Sequence, residues 1–262
     1  LGKVSINIKK QLEMKYTVDK TELFQVPLPA KTESYTPVAH YDLVNTIEKN
    51  VRSNFKDLKI VSSDYKLNGN GQQFMGMLHF QDQSNPNSEL NMSLGFRNSY
   101  DKSMAIGLAS GAQIIVCSNG MMLGELNLLR KHTTNVWSDV NGLVSKSLDK
   151  LVENFEVVKK DMVNMRSHYI DQNELHRITG ELFMQEGLLT AQQLGIVKKE
   201  IQFSENFSMM NSEDMSLWNL YNNITESLKI EHPSTILNKH LDLHNYAKAI
   251  VLDAKPVMEL VG

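Results

Sequence analysis

The chain has 262 residues, 41% of them hydrophobic and 22% charged, which is enough to bury a substantial core and too apolar for general disorder. Its 27 basic and 30 acidic residues leave a net charge of −3, which excludes the strongly basic balance of many nucleic-acid proteins but leaves room for a local basic patch. A single cysteine, Cys117, excludes an intrachain disulfide, and no apolar run nears the roughly 20 residues that a bilayer-spanning helix needs.

Leu1-Gly2-Lys3-Val4 is not followed by the apolar stretch of a secretory signal, so a reducing, cytoplasmic location is expected. Residues 1–35 are mixed and polar, and Pro27-Leu28-Pro29 interrupts any regular element, so an extended N-terminal arm or a short strand is expected. A helix is predicted next, with Thr36 as its cap and Pro37 in its first position, because Val44, Ile47, Val51 and Phe55 recur on one face.

From Lys59 to Gly120 the pattern is that of an antiparallel meander. Lys59–Leu67 ends at Asn68-Gly69-Asn70-Gly71, a turn sequence of residues that tolerate positive φ. Gln72–Gln81 places Phe74, Leu78 and Phe80 together. In the third strand Leu90, Met92, Leu94 and Phe96 alternate with Asn91, Ser93, Gly95 and Arg97, predicting one core face and one polar face. A fourth strand is expected near Met104–Ala109, and 112–117 is apolar enough to be buried.

Helix is expected from Leu123 onward. Val144, Leu148, Leu151, Phe155, Val158, Met162 and Met165 form an apolar seam, which suits a long helix laid on the sheet or a self-association helix over 144–165. Further helices are predicted over 171–187, 190–199, 215–228 and 233–252. The expected fold class is therefore α+β: an antiparallel meander preceded by one helix and followed by a long helix and a C-terminal helical region. The expected organisation is an arm over 1–35, a core over 36–170 and a helical region over 171–262.

The densest polar stretch is Arg97-Asn98-Ser99-Tyr100-Asp101-Lys102-Ser103. Arg and Lys supply charge and Asn and Ser supply neutral donors, so such a turn can hold phosphates; the alternative is a hairpin loop bonded to its own backbone. Arg130-Lys131-His132-Thr133 can extend the same surface, or be a solvated loop. Cys117, beside Ser118-Asn119-Gly120, is a candidate nucleophile only if a base such as His132 reaches it; a buried structural cysteine is the competing reading. His240 and His244 stand one helical turn apart, but no His-Glu-x-x-His or cysteine cluster accompanies them, so no metal and no cofactor is expected.

Together Phe96-Arg97-Asn98-Ser99-Tyr100-Asp101-Lys102-Ser103, Val116-Cys117-Ser118-Asn119-Gly120-Met121, Arg130-Lys131-His132-Thr133 and Trp218-Asn219-Leu220-Tyr221-Asn222-Asn223-Ile224-Thr225-Glu226 resemble the motifs of a phage/plasmid-like protein family of unknown function, over about residues 35–245. The resemblance implies a mobile-element setting. The element order is also similar to the core of phage single-strand annealing proteins, which hold a DNA strand by its backbone in a basic groove; the net negative charge departs from that pattern.

The expected function is non-catalytic binding of single-stranded DNA through its phosphates by Arg97, Asn98, Ser99, Lys102, Arg130 and Lys131, in recombination or replication. The alternative is a protein-interaction module, an anti-defence or regulatory factor, suggested by 14 methionines and the adjacent pairs Met121-Met122 and Met209-Met210. An enzyme built on Asp101, Cys117 and His132, with Asn119 beside them, is a third possibility.

Overall fold

The computed structural model describes residues 16–114, 120–133, 135–210 and 215–253. Helices α1 (Lys20–Gln25) and α2 (His40–Asn54) precede strands β1 (Leu58–Leu67), β2 (Gln73–Asp82), β3 (Leu90–Ser99), β4 (Ile106–Ile114) and β5 (Gly120–Arg130). The long α3 (Val136–Ser167) follows, and then α4 (Gln172–Met184), α5 (Ala191–Phe203), α6 (Leu217–Leu228) and α7 (Ile236–Asp253). The sheet is an antiparallel meander in the order β1-β2-β3-β4-β5. This is the α+β architecture read from the sequence.

Local chemistry sets most of the element ends. Between β1 and β2 the amide of Gly71 donates to the Asn68 carbonyl at 2.9 Å, and Gly71 takes φ +70, a conformation that favours glycine. Asp171 caps α4 by accepting from the Glu174 amide at 2.8 Å, Thr190 and Gln193 form a reciprocal capping box on α5, and Ser216 caps α6.

The main core lies on one face of the sheet. Leu43, Val44, Ile47 and Val51 of α2 and the whole apolar seam of α3 pack there against Phe74, Leu78, Phe80, Leu94 and Phe96. Each fully buried side chain of this size contributes about 1.5–3 kcal/mol of transfer free energy. The seam that can pair between subunits is thus buried inside the protein's own core.

Besides α1, a capped helix with buried Leu23 inside the stretch expected as an arm or short strand, three features depart from the sequence expectation. First, Leu123–Leu129 is strand, not helix, and α3 begins only at Val136. Leucines 123, 126 and 129 recur at helical spacing, but β4 would otherwise be left with an open edge of unpaired amides and carbonyls, and pairing with β5 completes its ladder. Second, α2 starts at His40, capped by Ala39, rather than at Pro37 with Thr36 as cap, because Thr36 donates its amide to the His132 carbonyl and the following residues serve a buried network described below.

Third, the opposite face of β3 carries the expected polar residues but is covered by a helix. Leu237 and Leu241 of α7 pack on Ala109 and Met122 there, whereas Leu243, Ala247 and Val251 of the same helix join the main core. A β-carbon on Gly95 would lie 2.8 Å from Leu237 Cδ1, so the bare glycine lets α7 approach.

Candidate functional site

Three segments meet at one end of the sheet: the residues leading into α2, the β3–β4 turn, and the residues leaving β5. Asn98 joins them. The period-two alternation that buries Phe96 buries Asn98 as well, and its amide is used on both sides. Asn98 Nδ2 donates to the Val38 carbonyl at 2.7 Å and to His40 Nδ1 at 3.0 Å, while Asn98 Oδ1 accepts from His132 Nε2 at 2.7 Å. His40 Nε2 in turn donates to the Gly71 carbonyl at 3.0 Å. These partners fix both imidazoles as Nε2–H tautomers, leaving Nδ1 of His132 as its lone-pair nitrogen.

Two tyrosines complete the arrangement. Tyr100 stacks on His40 with ring centres 3.9 Å apart and planes 1° from parallel, and its hydroxyl accepts the His40 amide at 2.9 Å. That bond satisfies one of the free amides at the start of α2, whose cap position, Ala39, has no side chain to do so. Tyr35 donates its hydroxyl to the Tyr100 carbonyl at 3.1 Å.

Both imidazoles are held neutral. Burial is the main cause of a His40 pKa lowered to about 4, and the nearby His132 adds to it. His132 is lowered from its ordinary value by burial.

Beside this network lies a recess of about 490 Å³, lined by Ser34, Tyr35, Lys102, Ser103, Met104, Ala105, Lys131, His132 and Thr133. Lys102 Nζ sits 4.6 Å from the centre of the Tyr35 ring. Lys102 also takes φ +64, the positive-φ conformation that among the described non-glycine residues it alone adopts. The turn holds it there: Asp101 accepts from the Ser103 amide at 2.9 Å and from the Ser103 hydroxyl, and Gln73 Nε2 donates to both Asp101 Oδ2 and Ser103 Oγ at 2.9 Å. Lys102 and Lys131 are exposed, and among the described residues neither is paired with a carboxylate.

The residues singled out in the sequence therefore separate. Lys102, Lys131 and His132 come together at the recess. Asn98 is buried beneath it as an organiser rather than a surface donor. Ser99 closes the β3–β4 turn, its hydroxyl accepting the Met104 amide at 3.0 Å and donating to the Met104 carbonyl at 2.9 Å. Asp101 braces the same turn.

Arg97 does not join the recess. Alternation puts it on the opposite face of the sheet, where its Nη1 donates to Asn238 Oδ1 at 3.0 Å. Cys117 and Asn119 lie outside the described residues, and of Arg130 only the backbone is described, paired with Ile106. Among the described residues no group of three or more His, Cys, Asp or Glu side chains converges as a metal site. His244 donates to Asp161 Oδ2 at 3.1 Å, and Lys248 Nζ lies 3.3 Å from the same oxygen. The Trp218–Glu226 motif is the buried α6, in which Asn223 Nδ2 donates to the Phe207 carbonyl at 2.9 Å.

A second polar set had no sequence signal. His79 Nε2 donates to Asp64 Oδ2 at 3.0 Å, and a 2.7 Å hydrogen bond joins His79 Nδ1 to Ser93 Oγ. The hydrogen bond from His79 holds the Asp64 carboxyl below its ordinary range. The three residue types are those of a hydrolase triad, but Ser93 is 0% exposed, so no substrate reaches its hydroxyl. His79 and Ser93 are buried cross-strand partners that satisfy one another, and the exposed Asp64 reaches His79 from the edge strand β1.

Fold and site together define the class: an α+β protein with a basic recess at one end of an antiparallel meander, held on a buried His–Asn–His network. Residues 27–250 match the family described as Domain of unknown function (DUF932), and the chain belongs to that family. No curated protein and no solved structure matches the chain.

Proposed function

We propose that the protein binds single-stranded DNA through its phosphate backbone, at the recess and without catalysis. The observation that carries this reading is that Lys102, from the β3–β4 turn, and Lys131, just after β5, line one recess with no carboxylate paired to either among the described residues. Two ammonium groups supply the charge a phosphate needs, and the exposed Ser34 beside them supplies a neutral donor. The positive φ of Lys102 adds support, since backbone strain of this kind is kept where a side chain must be presented. With a net charge of −3 on the whole chain, the attraction is local to the recess. The mobile-element setting that the motif resemblance implies, with a role in recombination or replication, belongs to the same proposal.

The test is fluorescence anisotropy of a labelled oligothymidylate at stepped salt concentrations. Two lysines neutralising one phosphate each give a slope of log affinity against log salt of about −1.4, at about −0.7 per phosphate for single strands. No binding at low salt, or a response flat with salt, overturns the reading.

A further inference from the structure

A second cavity, of about 580 Å³, opens in the C-terminal helical region between α4 and α5, on elements that take no part in the recess. Leu175, Leu194, Val197 and Ile201 supply apolar wall from the two helices, and Met209 and Met210 from the segment after α5. That segment is tied to α5 by the Met209 amide, which donates to the Ile201 carbonyl at 2.8 Å, and Met209 is buried. Met210 is 65% exposed, and Phe203, next in sequence to the wall residue Gln202, is 73% exposed, so apolar surface continues at the mouth. Among the described residues of the wall, Lys198 is the one side chain charged at neutral pH, with His176 the other titratable group.

Gly195 shapes the same wall. It stands inside α5 on the cavity wall, and a β-carbon built there meets nothing within 4 Å. Glycine is the poorest helix former after proline, and no packing within the chain requires it at this position. Its missing side chain leaves room in the cavity.

We propose that this cavity binds an anionic amphiphile, a medium-chain aliphatic carboxylate. Its chain lies on Leu194, Ile201 and Met210, over the buried Leu175, Val197 and Met209, and its head group pairs with Lys198. The volume is that of a small-molecule site, and a cleft between packed helices is a common place for one. Polarisable, unbranched methionines adapt to chains of varied shape. The charge on the wall is positive and carries no carboxylate partner among the described residues, which selects an anionic head over a neutral or cationic one.

The experiment uses the full chain labelled with [13C-methyl]methionine and titrated with sodium decanoate below its micelle concentration, with decanol in parallel. Saturable shifts are expected at Met209 and Met210, with Met104 and Met122 unmoved. Gly195→Leu, which adds a side chain to the cavity wall on a better helix former, is expected to abolish the shifts while thermal stability is kept. Lys198→Gln is expected to weaken decanoate about fivefold and leave decanol unchanged. Absence of saturable shifts at the two methionines, undiminished binding by Gly195→Leu, or decanol binding as tightly as decanoate each overturns the proposal. So does an acidic helical peptide that shifts the same signals where decanoate does not.

Discussion

Asn98 Oδ1 accepts a 2.7 Å hydrogen bond from His132 Nε2, so one buried amide joins the end of β3 to the segment that carries Lys131. Replacing Asn98 by leucine leaves the Val38 carbonyl, His40 Nδ1 and His132 Nε2 without partners. Each buried orphan costs about 1–3 kcal/mol, so a loss of about 3 kcal/mol or more is expected in urea unfolding. Binding of the oligothymidylate is expected to fall with it. A variant of wild-type stability would show that the network is incidental.

The cations make a sharper comparison. Lys102→Gln and Lys131→Gln are each expected to lower affinity and to flatten the salt slope by about 0.7, the share of one phosphate. Arg97→Gln should leave both quantities unchanged, since Arg97 faces α7 across the sheet. Equal effects from all three would mean diffuse attraction rather than a site.

Lys102→Gly separates strain from binding. Relieving a non-glycine residue at φ +64 is worth about 1 kcal/mol of stability, read as a rise in melting temperature. The same change removes an ammonium from the recess, so stability is expected to rise as affinity falls.

The buried imidazoles predict acid sensitivity. His40 titrates at about 4 in the folded protein and near 6.5 when unfolded, so between those values the unfolded state binds more protons. Stability is therefore full above pH 6.5, falls as pH drops toward 4, and levels below it, for a total of about 3 kcal/mol from this group. His40→Gln is expected to flatten that part of a stability-against-pH curve. The sign is opposite for ligand: a phosphate beside His132 favours its protonated form, so oligonucleotide affinity should rise as pH falls toward the acid limit of folding.

Ser93 should behave as a structural residue. A fluorophosphonate probe is expected to leave it unlabelled in the native protein, and Ser93→Ala to cost about 1 kcal/mol through the lost bond to His79. Labelling at Ser93 would mean that its covering opens.

What the sequence revealed and concealed follows from the range of each interaction. The α3 seam, the Asn68–Gly71 turn and the alternation of β3 are local patterns, and they place the sheet and its main core. The same alternation, carried one residue past Arg97, puts Asn98 inside and separates two neighbours that composition alone joins into one basic turn. His40, Tyr35 and Val38 gave no signal, because their roles depend on how the residues before α2 dock on the distant β3–β4 turn. The helical spacing of Leu123–Leu129 misled for a related reason. A neighbouring strand in need of a partner outweighs local periodicity, and that need is visible only once the sheet is assembled.

The way α7 divides its contacts bears on how the molecule can be cut. Its first half shields the far side of β3 and β4, and its second half closes the core beside α3. A fragment ending before Ile236 would bare both surfaces at once. The last described helix is in that sense a clasp, and stepwise shortening from the carboxyl end should lead to aggregation of the whole molecule rather than release of an independently folded amino-terminal piece.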